Sequence, residues 1–469
     1  MKTHTQALDV RTAREWIAER AFGAIADGPP TPEQPGGIGL EPEYFVVHVD
    51  SLGEPTGRPR LFRNDDTGEA GIIDWLRDAS EDPELGFFEF VPGVVPRFEL
   101  ACGGQITFEP GAQVEHSTRV HETAAGAMAD LERVRAGLSD IFEPRGCALL
   151  ALGLDPWHEV EDVPQQLPGG RYRSQAEFYA SKGPAGAKMM RNSTSLQINL
   201  DFGGEFGDPE IVEQRWRIAN LVSPLITATF STSPGADLCG RAVASRRARV
   251  WQVLDPSRTG FPPALQAGRD SDPGLDYADK VLDAEVMLYR RAGVPEGMST
   301  ALDGLTFRRW IEDGHPAHGV ATVDDLEYHL TTVFPEVRAR GFMELRAADG
   351  LPTDLAGPFV VLLTGLIYDP QARREALALL GSRQHELEDL WVRAGRAGLE
   401  DPVVSGLAGW IWPLALEGAK RLPADYFRLS DLEDTATFLD RYVLDGASPS
   451  SELRDLLALA PAGALTWGR

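Results

Sequence analysis

Gly39-Leu40-Glu41-Pro42-Glu43-Tyr44-Phe45 and Ile106-Thr107-Phe108-Glu109-Pro110-Gly111-Ala112-Gln113-Val114-Glu115 are the two segments on which the reading of this chain turns. Glu41 and Glu43 open a run that continues into Tyr44-Phe45-Val46-Val47, which predicts a strand with both carboxylates, at i and i+2, on one face. Unpaired, two such neighbours repel, and one is pushed to hold a proton. In the second segment Pro110-Gly111 predicts a turn or bulge in a bent strand, so that Glu109 and Glu115 point at one place.

An isolated E-x-E pair is ordinarily a solvated strand face. Two features argue for convergence instead. Both segments are strongly apolar and bounded by glycine, and burying an uncompensated carboxylate in such a strand costs several kcal/mol, roughly. A later segment, Gly341-Phe342-Met343-Glu344-Leu345-Arg346, repeats the design with another acid. Carboxylates brought together need a hard cation, and oxygen ligation suits Mg²⁺ or Mn²⁺ better than zinc.

Working outward, the chain has 469 residues, 43% hydrophobic and 25% charged, enough apolar material for a large core and too much for a disordered chain. Its net charge of -26 argues against a nucleic-acid partner held by general electrostatics. An anionic substrate would need local arginines or metal ions. Three cysteines without CxxC spacing indicate neither a disulfide framework nor a zinc site. The N-terminus lacks an apolar signal core, and the longest apolar run, Pro358 to Tyr368, is too short for a bilayer. The expectation is a soluble, cytoplasmic protein without a membrane partner.

Taken in order, the apolar spacing predicts helices over Asp9 to Ala26, around Gly71 to Arg77, over Val120 to Phe142 and over Glu210 to Phe230. The Pro- and Gly-rich stretch from Gly28 to Gly37 is the clearest linker, and a polar loop runs to about Asp66. Several β-like runs are expected from Leu85 to Glu115 and a further strand over Cys147 to Leu154, followed by an irregular region in which Arg171-Tyr172-Arg173 reads as surface charge. Thr194 to Asp201 alternates, with Ser195, Gln197, Asn199 and Asp201 on a face that either lines a polar cavity or meets water. Arg241, Arg246, Arg247, Arg249 and Arg258 are either an exposed helix face or an anion pocket. Thr322 reads as a helix N-cap, and His329 as a structural histidine or a base. Beyond Pro352 the pattern is almost wholly helical. The expected organisation is a single catalytic domain over 1–469: N-terminal helix and linker 1–37, sheet with the site 38–350, helical layer 351–469.

No Walker loop, dinucleotide fingerprint, G-x-S-x-G elbow, H-E-x-x-H or kinase set is present. What remains is a carboxylate-rich strand cavity with an arginine cluster, suited to metal-bridged phosphates beside a small anion.

Several blocks together resemble the plant-type glutamate–cysteine ligases and their actinobacterial relatives of ergothioneine synthesis. They are Gly39 to Glu43, Phe108 to Glu115, Met189-Met190 through Asp201, Ser245 to Gly260, His329 to Arg338, and Phe342 to Asp349. The resemblance implies an α+β, glutamine-synthetase-like fold: a curved, mainly antiparallel sheet with surrounding helices. It implies a reaction that joins the γ-carboxylate of L-glutamate to the amine of L-cysteine, with ATP becoming ADP and phosphate. Glu41, Glu43, Glu109, Glu115, Gln197 and Glu344 would hold Mg²⁺, or Mn²⁺. Arg346 and Arg247 would act on the transferred phosphoryl group, and Arg247, Arg258, Arg338 and Asn199 would bind substrate.

The stretch from Asp50 to Gly104 is longer than the resemblance leads one to expect, and it could shape the acceptor pocket. Another amine acceptor is therefore the alternative, and a non-catalytic binding protein the outsider, since the metal acids are all present. The partners expected are small molecules, with the protein a monomer or small homo-oligomer.

Overall fold

The computed structural model describes residues 8–23, 34–81, 88–93, 95–203, 208–290, 297–460 and 462–468. Its principal sheet has ten strands: β1 Ile38–Val49, β2 Pro55–Gly57, β3 Phe88–Val91, β4 Arg97–Leu100, β5 Gly104–Phe108, β6 Val114–Thr118, β7 Cys147–Leu150, β8 Leu196–Leu200, β9 Val337–Ala339 and β10 Met343–Leu345. The order is β9-β10-β8-β1-β6-β5-β4-β3, with β2 and β7 also paired to β1, and every pairing in it is antiparallel.

β1 is the axis of the molecule because it serves several partners. Ile38 to Pro42 pairs with β8, Glu43 and Tyr44 pair with β6, and Phe45 to His48 pairs with β7. Pro42 is the last residue of β1 paired with β8, and the β6 ladder starts only at the next residue, Glu43. A residue without an N–H is tolerated where the ladder is interrupted.

The two faces of β1 are filled in different ways. Ile38 and Leu40 join Ile198, Leu345 and the Thr353–Tyr368 helix in the largest core. Tyr44 and Val46 meet Val134 and Leu138 of the Ala124–Phe142 helix. On the other face Phe45 and Val47 are covered by Leu453 and Leu465 near the C-terminus. Glu41 and Glu43 share the parity of Phe45 and Val47, but their part of the face opens into a chamber.

The expected helices form as Val10–Phe22, Ile72–Glu81, Ala124–Phe142 and Pro209–Thr229. The first ends at Gly23, whose φ of 77° a side chain resists. Asp9, Thr123 and Asp208 cap the first, third and fourth through their side chains, and Thr322 with Asp325 forms a full capping box. From Thr353 onward the chain is helical to Leu459, with short breaks. Ile25, Ala26, most of the Gly28–Gly37 linker and the start of the Leu85 run lie outside the described residues.

Two expectations fail locally. The strand over Cys147 to Leu154 stops at Leu150, and the region expected to be irregular contains helices at Gly170–Lys182 and Ala185–Asn192. The first of these starts at Gly169 with no side-chain cap, so its sequence carries no start signal. Among the described residues no helix is long and apolar enough to cross a membrane.

Candidate active site

The chamber, about 260 Å³, is floored by the sheet. Register sets its chemistry. Glu41 stands opposite Gln197, Glu43 opposite Glu115, and Glu344 opposite both Asn199 and Arg338. Glu109 and Glu115 come from a hairpin rather than one bent strand, since β5 and β6 pair from Gly104↔Thr118 to Phe108↔Val114. The turn between them is tight. Ala112 has φ 66°, and a Cβ on Gly111 would lie 2.2 Å from the Arg191 carbonyl oxygen. Gln113 ties the turn down, its Oε1 accepting from Gly111 N at 2.9 Å and its Nε2 donating to Ser193 O at 2.9 Å. Buried Arg58 donates to Gly111 O at 2.6 Å and to Arg191 O at 2.8 Å.

The carboxylates are crowded and dry. Burial, then the charges of Glu344 and Glu115, push Glu41 up to about 7. Burial, then Glu43, does the same to Glu115, which also reaches about 7. Glu109 is raised well above the carboxylate range by burial and by Glu115 and Glu43, and Glu43 is raised by burial against the pull of Arg247 and Arg346. Glu344 is the exception. Burial works against its charge, but Arg338 and Arg346 hold it down at about 2.

Protein donors occupy most of these oxygens. Asn199 Nδ2 donates to Glu41 at 2.9 Å, Thr107 Oγ1 to Glu115 at 2.7 Å, and Ser195 N and Gln197 Nε2 to Glu43 at 2.8 and 3.1 Å. Arg338 grips Glu344 through Nε and Nη2, and Arg346 Nη1 reaches both Glu344 and Gln197. Glu109 accepts no side-chain hydrogen bond from the described residues.

A profile of glutamate–cysteine ligase family 2 matches residues 71–465, most of the chain. The chain belongs to that family. Glutamate–cysteine ligase EgtA of Mycolicibacterium smegmatis is 33% identical over 96% of this chain and 92% of that protein. EgtA of Mycobacterium tuberculosis is 30% identical over 98% of this chain and 93% of its own. A chloroplastic glutamate–cysteine ligase of Medicago truncatula is 30% identical over 82% of this chain and 71% of that protein. Among solved structures, a glutamate–cysteine ligase from Francisella tularensis, crystallised with AMP, superposes with a TM-score of 0.52. It has 12% identity and covers 93% of this chain and 88% of that one. That likeness fixes the fold as glutamine-synthetase-like.

In this member of glutamate–cysteine ligase family 2, the sheet and its connecting turns bring Glu41, Glu43, Glu109, Glu115, Gln197, Glu344, Arg338 and Arg346 to the chamber wall, and the Arg246–Leu254 helix brings Arg247. Two residues expected at the substrate are placed elsewhere. Arg258 is fully buried outside the chamber, where it donates to Asp255 Oδ2, Thr332 O and Glu285 O and lies over the Phe178 ring. Asn199 stands behind Glu41 and orients it.

The anion pocket read from five clustered arginines reduces to one. Arg241 pairs with Asp237, Arg246 faces Glu159 and Asp155, Arg249 donates to Gln252, and only Arg247 reaches the chamber. His329 is structural, buried with Nε2 at 2.9 Å from Val281 O.

Sequence reasoning missed one wall. Arg171 and Tyr172, read as surface charge, line the chamber with Gln175 and Met189 from the two helices that carried no start signal. Arg171 donates to Thr331 Oγ1 at 2.8 Å and to Thr331 O at 3.1 Å. The block around Met189 was the available clue. No described residue between 50 and 104 lines the chamber, and the stretch bears on it through Arg58, which holds the turn at Gly111.

The donors suit a hard cation. They are carboxylate oxygens and the Gln197 amide oxygen; His116, next to Glu115, is fully buried on the other face of β6, its ring nitrogens without a hydrogen-bond partner among the described residues. Acids raised toward neutrality hold protons where a divalent ion would displace them. Among the described residues no three acid, histidine or cysteine groups already stand in ligating positions. Amide, hydroxyl and guanidinium donors hold these oxygens, and side-chain rotation would have to gather them around an ion.

Proposed function

We propose that this chain is an ATP-dependent ligase joining the γ-carboxylate of L-glutamate to the amine of L-cysteine through γ-glutamyl phosphate, giving γ-glutamylcysteine, ADP and phosphate. The observation that carries this reading is a chamber lined by five glutamates with Arg247, Arg338 and Arg346 among them, in a chain of this family. That the relatives are glutamate–cysteine ligases supports the substrates.

A carboxylate is a poor acyl donor, so the chemistry needs phosphorylation before the amine attacks. Arg346 is set to steady the transferred phosphoryl group. Its guanidinium lies over the rings of Trp251 and Phe334, 5.7 and 5.8 Å from their centroids, and cannot swing freely. Arg247 is anchored by donating to Arg346 O at 3.0 Å and presents its charge to the same region. Arg338 fixes Glu344, and Asn199 fixes Glu41. Glu41, Glu43, Glu109 and Glu115, with Glu344 and Gln197, would hold Mg²⁺ or Mn²⁺, which supplies charge neutralisation on the phosphate oxygens. The incoming amine must be neutral; a chamber carboxylate or the departing phosphate takes its proton. Positioning accounts for most of the rate.

The test is ADP release by purified protein with ATP, Mg²⁺ and L-glutamate, with and without L-cysteine, repeated for Glu41→Gln. Cysteine-dependent turnover with a product of γ-glutamylcysteine mass, abolished in the variant, supports the reading. ATP binding without such turnover overturns it.

A further inference from the structure

We propose that Glu336 is a positioning residue for this reaction, an interior carboxylate set behind Arg247 and Arg346 that keeps both guanidiniums facing the chamber. This rests on the ligase reading above.

Glu336 does not line the chamber. It lines a small separate cavity whose walls include Arg247, Trp251, Phe334 and Arg346, and these four residues also line the chamber. The two arginines therefore form a partition with the chamber on one side and Glu336 on the other. Glu336 is 8% exposed, and its backbone is pinned on both sides of the fold: its N–H donates to Gly260 O at 2.9 Å, and its carbonyl accepts from Arg346 N at 3.0 Å. The strand segment that carries Arg346 is thus tied directly to the residue that balances it.

The charges facing Glu336 are Arg247 from the Arg246–Leu254 helix and Arg346 from the end of β10, with the Trp391 indole from the Leu387–Ala397 helix. Burial raises Glu336 to about 7, against the pull of Arg247, Arg346 and the Trp391 hydrogen bond.

The role follows from what else those arginines touch. Arg346 now shares Glu344 and Gln197, and Arg247 is drawn toward Glu43. Each of these chamber partners is also a ligand candidate for a divalent ion. Were a cation to take them, Arg346 would lose its chamber counter-charge and Arg247 one of three, Glu43. What remains is Asp349, 3.8 Å from Arg247 Nη1, and Glu336. A carboxylate outside the chamber compensates the guanidiniums without competing for metal or entering the space of the phosphoryl group. A glutamine there keeps the shape and removes the charge.

The experiment compares wild type, Glu336→Gln and Glu336→Asp at saturating Mg²⁺, reading thermal midpoint, steady-state ADP release, and calorimetric binding of L-glutamate to protein holding Mg²⁺ and ADP. The expected result is a Gln variant with a near-native midpoint, kcat reduced at least tenfold, glutamate binding weakened about tenfold, and recovery of most of both in the Asp variant. A Gln variant that binds glutamate and turns over within twofold of wild type overturns the role of Glu336, as does an Asp variant no better than Gln. Wild type that binds glutamate without turnover overturns the ligase reading, and the binding comparison still decides Glu336.

Discussion

Glu43 and Glu115 stand directly opposite each other on adjacent antiparallel strands, on the face that floors the chamber. Like charges in that relationship destabilise a sheet, by a few tenths to about 1 kcal/mol in exposed pairs and more when dry. The fold keeps the pair by placing Gln197, Ser195 and Thr107 as donors and by letting protons remain.

Removing one charge of this pair should therefore stabilise the metal-free protein while destroying its use. Glu43→Gln or Glu115→Gln should raise the midpoint of the metal-free protein by roughly 1–3 °C. The same variants should lose the Mg²⁺-dependent rise in midpoint and cysteine-dependent ADP release. Thermal scans with and without Mg²⁺ check this; a lower metal-free midpoint would count against repulsion as the governing term.

The pH dependence has a defined sign. Glu41, Glu115 and Glu336 reach about 7 in the fold against an ordinary 4.5, so the folded state binds more protons than the unfolded one between those values. Their contribution to stability is thus lost as pH rises from about 4.5 through 7. Glu344, at about 2, acts oppositely, but only below this window. Buried His116 and His329, lowered to about 4 and about 3, also pull the other way until about pH 6.5. Neither histidine lines the chamber. The midpoint gain on adding Mg²⁺ should therefore grow from pH 5.5 to 7.5, and a gain independent of pH would show that the acids are not the ligands.

Arg346→Lys should lower kcat by about two to three orders of magnitude, the scale seen when one oriented donor to transition-state charge is lost. A lysine keeps the charge but cannot span Gln197 and Glu344 while lying over Trp251 and Phe334. Nucleotide affinity, followed by calorimetry with ADP, should change only a few-fold.

Arg258→Ala should behave as a folding mutation. Deleting a fully buried guanidinium leaves Asp255 and two carbonyls without their donor, a loss of about 3–5 kcal/mol. Denaturant unfolding should show the drop, and whatever folded protein remains should have a glutamate KM close to wild type. A raised KM with unchanged stability would return Arg258 to the substrate.

The acids were legible in the sequence because strand periodicity is local. Glu41 and Glu43 at i and i+2, and Glu344 in its apolar strand, are assigned to a face by alternation alone, and the helix with the Thr322 cap announces its own start, whereas the helix capped by Thr123 begins four residues after the Val120 that the apolar spacing gives. Tertiary structure decided what each acid faces. That Glu43 meets Glu115, and Glu344 meets Asn199, depends on register between strands far apart in the chain, which only packing of the opposite, apolar face fixes. It also sorted the arginines. Arg246, Arg247 and Arg249 lie on one short helix, where each step turns the side chain by about a quarter of a circle, so a cluster in sequence becomes a fan in space and only Arg247 enters the chamber. Arg171 made the reverse journey, from a stretch without apolar period or cap to the chamber wall, because its helix is held there by packing and not by its own sequence.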